Sequence, residues 1–222
     1  MASQGSAAAY LFKFFNKKIP FVLTLQEGDL DRNSPVDRFW QGRIVKKADA
    51  ITAISNYLAG FAKKFNKKAP VFLVPNGVAL EKFQITNHKL QTNSKLQNPN
   101  QKTIITVSRL VKKNGVDILI KAVKKLGIDN WELRIIGDGP EKKRLEKLAE
   151  KSGITDKTKF LGSVSNEEIP KYLAEADVFV RPSRSEGLGT AFLEAMAAGV
   201  PVIGSPAGGI PDFLKNGETG LI

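Results

Sequence analysis

The sequence predicts an α/β fold, with helices wound onto parallel sheets in two successive units. Three observations carry that expectation. Short apolar runs alternate with helical patterns along nearly the whole 222-residue chain, and strand–helix alternation of this kind covers both faces of a parallel sheet with helices. A polar, patternless stretch, QITNHKLQTNSKLQNPNQK at residues 84–102, interrupts the alternation and reads as a linker or loose crossing. The composition, 42% hydrophobic and 25% charged, is that of a chain with a packed core. The expected domains are residues 1–100, a partial first unit ending in the polar linker, and residues 101–222, a second unit.

In chain order, PFVLTL (20–25) reads as a buried strand, followed by a polar loop and a helix near residues 35–47. AITAI (50–54) is a strand, and SNYLAGFAKKF a helix with Ser55 at its N-cap. VFLVPNG (71–77) is a strand closed by an Asn-Gly turn. Beyond the linker, TIITVS (103–108) is a strand, and GVDILIKAVKKLG an amphipathic helix with Val116, Leu119, Ile120 and Val123 on one face. WELRIIG is a strand, and PEKKRLEKLAEKSG a helix with Pro140 in its first turn and Gly153 at its close. The alternation continues with strand KFLG, helix NEEIPKYLAEA, strand DVFVRPS, helix TAFLEAMAAG, strand PVIGSP and helix IPDFLKNG. TGLI (219–222) begins a further strand with nothing after it to cover it. The first unit has about three strands, few for a doubly wound sheet. The expectation is a fragment, truncated in the first unit and at the end of the second.

Several functional classes fall away on composition. The chain has no Cys, which removes disulfides, thiolate nucleophiles and cysteine metal sites and fits a reducing cytoplasm. The only His, His88, stands in the polar stretch and reads as a loop residue, so histidine-centred metal sites and triads are excluded. No apolar run approaches the roughly 20 residues that span a bilayer. The start, MASQGSAAAYLFKFFNKK, is small and apolar and then basic, the reverse of a secretory signal. Net charge is +12, and residues 1–100 hold 15 Lys and Arg against 6 Asp and Glu. A basic first half suits a polyanion, an anionic membrane surface or phosphorylated ligands; solvated lysines of a basic proteome account for it equally. No basic face with interleaved aromatics is present, so nucleic acid is not the expected partner.

Ligands of open parallel sheets bind at the carboxyl ends of the strands, so the loops after the strands are where chemistry is sought. SRSEGLGT (183–190) follows DVFVRPS and leads into a helix. Gly187 and Gly189 allow close approach of backbone to a ligand, and the helix start offers free amides and a positive dipole end. Glu186 lies before that helix and Glu194 within it, among Leu193, Ala195, Met196 and Ala197. A carboxylate in such apolar surroundings is costly unless hydrogen-bonded, and ligand hydroxyls are natural donors to it. SRLVKKNG (108–115) sets Arg109, Lys112 and Lys113 beside another helix start, where a phosphate would meet charge and donors together. Loops GDGPE (137–141) and SPAGGIPD (205–212) complete a rim rich in Gly and Pro, which makes a pocket the expectation.

These residues resemble the signature of the retaining glycosyltransferases of the GT-B fold, specifically glycosyltransferase family 4. The matching stretches, in the family's order, are TLQEGD (24–29), ADAITAIS (48–55), VPNGV (74–78), SRLVKKNGVD (108–117), GDGP (137–140), FLGSV (160–164), ADVFVRPSRSEGLGTAFLEAMAAGVPVIGSPAGGIPDF (176–213) and NGETGL (216–221). The resemblance implies two Rossmann-like domains, the first partial here, with the nucleotide-diphosphate sugar on the second and a glycan or lipid-linked acceptor on the first. It implies that Glu194 binds the donor's ribose hydroxyls and Glu186 those of the transferred sugar. Backbone amides at Leu188, Gly189 and Thr190, with Gly187, would cradle the diphosphate. Arg109 would stabilise charge on the departing diphosphate, and Val164 would line the base pocket. On the acceptor or sugar side stand Gln26 and Glu27. The resemblance implies no metal and no cofactor beyond the donor itself.

The chain departs from the family in three places. The family's phosphate lysine follows the arginine by five residues, and that position here is Asn114; Lys112 or Lys113 is the substitute, a flexible ammonium reaching from a neighbouring position. Gln26 stands where many members carry a His near the sugar. The N-terminal glycine-rich loop and the closing C-terminal helices are absent. The leading reading is a sugar transferase that keeps the donor's anomeric configuration, in the cytoplasm and peripheral at the inner face of the membrane. Its alternative is a non-catalytic module that retains nucleotide-sugar affinity. For AAAYLFKFFNKK (7–18) two readings stand: a basic amphipathic helix on anionic lipid, or a surface helix whose aromatics pack on the sheet.

Overall fold

The computed structural model describes residues 4–28, 35–83 and 101–222. Residues 84–100 of the polar crossing, His88 among them, and Asp29 of TLQEGD therefore lie outside the described residues, while Lys102, read as part of the crossing, opens the next strand. The chain divides into two compact units. One comprises Met1–Asn76 with Ser185–Leu188 and Ala207–Phe213; the other comprises Gly77–Arg184, Gly189–Pro206 and Leu214–Ile222.

The first unit holds a parallel sheet in the order β1 (Val22–Leu25), β2 (Ala50–Ala53), β3 (Val71–Leu73). Its helices are α1 (Gln4–Phe15), α2 (Pro35–Lys47) and α3 (Asn56–Phe65). Leu23 and Leu25 point inward while Val22 and Thr24 face out, so the stretch read as wholly buried is half-buried. Its outer face carries a hydroxyl pair, Thr52 donating to Thr24 at 2.9 Å, a cross-strand contact of ordinary sheet surfaces. Leu23, Leu25, Ile51 and Ala53 are buried, as are Ile44 and Val45 of α2 and Leu58 and Ala62 of α3. Ser55 caps α3, its hydroxyl accepting from the Leu58 amide at 3.3 Å. The strand expected over residues 71–77 stops at Leu73, ahead of Pro75, which has no N–H to extend the ladder.

The second unit is a five-stranded parallel sheet in the order β6 (Thr158–Gly162), β5 (Trp131–Ile136), β4 (Lys102–Val107), β7 (Val178–Val180), β8 (Val202–Ile203). Helices α4 (Val116–Val123), α5 (Lys142–Lys151), α6 (Ile169–Ala174) and α7 (Thr190–Ala197) follow β4 to β7 in turn. The four apolar positions expected on α4 join one core with Ile104, Leu133, Ile135, Leu145 and Ala149. Elsewhere Phe179 and Phe192 meet edge-on at 5.1 Å between ring centroids. The α5 helix ends at Gly153, whose φ of 69° is the left-handed conformation of a helix close. Two expected elements are shorter. IPDFLKNG forms a 3-10 turn at Ile210–Asp212 instead of an α-helix, and the chain turns left-handed at Gly217, φ 79°, too soon after it for a helix of several turns. TGLI makes two isolated bridges, Ile203 to Leu221 and Asn216 to Gly220, in place of a strand.

Candidate functional site

The chain builds β4, β5 and β6 outward in one direction, then returns to lay β7 on the other side of β4. That reversal opens a crevice at the carboxyl ends of β4 and β7, the place where open α/β sheets take ligands. The loop Ser108–Gly115 leaves β4 there, and Arg181–Arg184 leaves β7.

The first loop is pinned from beneath. Ser108 N donates to Ile136 O at 3.0 Å and Leu110 N to Asp138 O at 2.8 Å. A Cβ on Gly137 would fall 1.9 Å from Ser108 O, and this glycine has φ 128°; only glycine lets the GDG turn pass so close. Arg109 itself is exposed, and its guanidinium makes no hydrogen bond or ion pair among the described residues. Lys112–Asn114 forms a 3-10 turn closed by Gly115 at φ 70°, with Lys112 exposed and Lys113 half-buried. Asn114 is only 2% exposed. Its Nδ2 donates to the Arg109 carbonyl at 2.6 Å, and its Oδ1 accepts from Arg181 at 3.0 Å. The amide of Asn114 is thus engaged inside the protein through both its nitrogen and its oxygen.

Across the crevice, α7 begins at Gly189, φ 97° and ψ 54°, with no side-chain cap. Glu194 lies in the second turn, half-buried beside buried Phe192 and Ala195. Its carboxylate makes no hydrogen bond or ion pair among the described residues. Burial pushes the Glu194 carboxyl above the ordinary glutamate value, while the charge of Arg181 pulls it the other way. Such a group is stabilised by donors that arrive from outside. Val164 is half-buried in the loop after β6, past Gly162 at φ 70°.

In the first unit, Ser185–Leu188 lies against the loop after β1. Ser185 Oγ donates to Gly28 O at 2.7 Å. A Cβ on Gly28 would come within 2.1 Å of the Glu186 backbone, and one on Gly187 within 2.5 Å of Gln26 O. Two motifs 157 residues apart therefore meet, bringing Gln26 and Glu27 to the same loop pair as Glu186. Gly187 and Leu188 are buried.

Sequence reasoning missed three residues here: Arg181, Arg184 and Asp117. Arg184 donates through both terminal nitrogens to Asp117, each at 2.8 Å, and also to Lys112 O at 2.7 Å. The hydrogen bond from Arg184 holds the Asp117 carboxyl below the usual carboxylate range against the opposing effect of burial. The available signal was the pair of arginines in RPSRS, directly after an apolar strand.

Residues 88–222 match the family profile described as Glycosyl transferases group 1. The chain is 36% identical over 199 residues to a GDP-mannose-dependent alpha-(1-6)-phosphatidylinositol monomannoside mannosyltransferase of Mycobacterium tuberculosis, covering 85% of this chain and 52% of the relative. It is 34% identical over 226 residues to a putative teichuronic acid biosynthesis glycosyltransferase, TuaC, of Bacillus subtilis, covering 98% and 54%. Among solved structures, HepE of Anabaena in complex with UDP and glucose superimposes with a TM-score of 0.83 at 21% identity, over 98% of this chain and 61% of that one. The sucrose-phosphate synthase of Thermosynechococcus elongatus gives 0.82 at 22%, over 97% and 58%. These last two likenesses establish the GT-B fold. The chain spans about half the length of the curated relatives it matches.

Proposed function

Since the chain belongs to the Glycosyl transferases group 1 family, we propose that it is part of a glycosyltransferase that moves a sugar from a nucleotide-diphosphate donor to a glycan or lipid-linked acceptor, with the anomeric configuration kept. The observation that carries this reading is Glu194. A half-buried carboxylate with no partner among the described residues, raised in pKa by that burial, is suited to accept two bonds from vicinal hydroxyls. In this reading those are the donor's ribose hydroxyls. Arg109, exposed and unengaged, stabilises the charge that grows on the leaving diphosphate, usually the largest catalytic effect. Backbone amides at Leu188, Gly189 and Thr190, with Gly187, hold the diphosphate, and Val164 touches the base. Glu186 takes the sugar's hydroxyls, with Gln26 and Glu27 beside it on the acceptor side. Positive charge comes from Arg109, Lys112 and Lys113, so the reading needs no metal and no cofactor.

The test is hydrolysis and transfer with UDP-, GDP- and ADP-sugars, followed by the anomeric form of the product. Turnover of one nucleotide class with retention is expected. Absence of both binding and turnover across the panel overturns the reading. Binding without turnover favours a second one, a nucleotide-sugar-binding module, for which the observation is Asn114: its amide is committed to Arg109 and Arg181 and leaves no lysine at that position for a phosphate.

The lipid-linked acceptor brings a membrane surface with it. Phe12, Phe14 and Phe15 of α1 are exposed, Phe15 by 81%, rather than packed on the sheet. At the base of α1 a cavity of about 480 Å³ is lined by Lys13, Lys17, Lys46, Lys47 and Lys68. Asp49 also lines it, pairing with Lys13 at 2.7 Å and feeling the charge of Lys47. Exposed aromatics beside a cavity in which lysines outnumber the single acid suit an anionic lipid surface. Among the described residues no helix is long and apolar enough to cross a membrane, and attachment in this reading is peripheral, on the cytoplasmic face.

A further inference from the structure

We propose that Arg184 is a positioning residue: it locks the loop that carries Arg109 onto the end of β7, so that Arg109 stands at one fixed spacing from the start of α7 before a donor arrives. The proposal rests on the glycosyltransferase reading for its chemistry and on separate geometry for its structure.

Five contacts lace the two strand-end segments together. The Arg184 guanidinium forks onto both oxygens of Asp117 at 2.8 Å, in the first turn of α4, and one of the same nitrogens reaches Lys112 O at 2.7 Å. The Arg184 amide donates to Lys113 O at 2.7 Å. One position along, Gly115 approaches Pro182 so closely that a Cβ would sit 1.8 Å from its carbonyl oxygen. Deeper in the crevice, Arg181 reaches Asn114, which holds the Arg109 carbonyl.

The chemistry of the residue types fits a clamp better than a surface ion pair. A planar guanidinium can satisfy a carboxylate and a carbonyl at once, whereas an ammonium is a point charge on a flexible stem. Asp117 also sits where a helix dipole favours an anion. Three of the five N–H groups of Arg184 are engaged in this arrangement, and its charge is paired with Asp117. Its role passes through Arg109, which is held by backbone contacts and left with an unengaged side chain. A displacement of about 1 Å in such a group is enough to cost on the order of a hundredfold in rate.

The test compares wild type with Arg184→Lys and Arg184→Ala. Amide hydrogen exchange is followed over Lys112–Gly115, and calorimetry gives affinities for GDP, UDP and the matching nucleosides. Both variants are expected to exchange faster across Lys112–Gly115. Diphosphate affinity should fall about tenfold while nucleoside affinity holds, because only the phosphate-facing group is displaced. Lysine should not rescue. Unchanged exchange in that segment overturns the proposal even if no nucleotide binds to the wild type, the outcome that would instead sink the glycosyltransferase reading. Equal diphosphate affinity in wild type and Arg184→Lys also overturns it. If Arg184→Ala fails to fold, Arg184→Lys carries the comparison alone.

Discussion

The Arg181 guanidinium donates to Asn114 Oδ1 at 3.0 Å, although 67 residues separate them in the chain. Removing the amide leaves buried polar groups of both neighbours without this partner. Asn114→Ala is therefore expected to cost about 1–3 kcal/mol, read by urea denaturation. Asn114→Lys, which places there the residue type that the resemblance implies, should destabilise as well and should not tighten donor binding, because it brings an ammonium beside Arg181. A lysine variant that is as stable as wild type and binds donor better would remove the bridging role.

Glu194 predicts a pH dependence. Burial raises its carboxyl above the ordinary glutamate value of 4.5 in the folded state, so the folded protein holds that proton more tightly than the unfolded chain. Stability is then lost as pH climbs from 4.5 through the folded pKa. Glu194→Gln removes the loss. The variant should melt higher than wild type at pH 7, with the gap closing below about pH 4.5, while donor affinity drops. A lower melting temperature at pH 7 would mean that the carboxylate is satisfied inside the protein.

Arg109 should behave in the opposite way. It is exposed and unengaged, so Arg109→Ala should change stability by less than about 0.5 kcal/mol. Turnover should fall roughly 100- to 1,000-fold, the usual loss when one stabiliser of transition-state charge is removed. Steady-state kinetics beside a thermal melt checks both halves of the prediction.

On α1, replacing Phe14 and Phe15 by Ser should weaken binding to vesicles of phosphatidylglycerol and phosphatidylcholine without changing the melting temperature. Each of Lys17, Lys46 and Lys47 replaced by Ala should cost about 1 kcal/mol of vesicle affinity, and added salt should erase most of that cost. Co-sedimentation provides the measurement.

The elements with strong periodicity were legible in the sequence. The α4 face of Val116, Leu119, Ile120 and Val123 and the Ser55 cap stand where the pattern put them. Elements near proline and glycine were overcalled, because IPDFLKNG and TGLI carry apolar residues but lack the amides or the partner strand that a helix or sheet demands. In the crevice, the half-buried setting of Glu194 was legible through its apolar neighbours. The commitment of Asn114 to Arg181, and that of Arg184 to Asp117, were not. Both depend on partners 67 residues away, and local pattern carries no information about distant partners.

The sheet order has a consequence for how the protein reaches its fold. The strands β4, β5 and β6 are neighbours in sequence as well as in space, so they can pair early at modest cost in loop entropy. Docking β7 onto β4 closes a far longer stretch, as the bond from Thr103 N to Asp177 across 74 residues makes plain. High sequence separation slows such pairings. Arg109 and Glu194 both follow strands of that long-range seam, so formation of the crevice is expected to trail the pairing of β4, β5 and β6, an order that φ-value analysis checks.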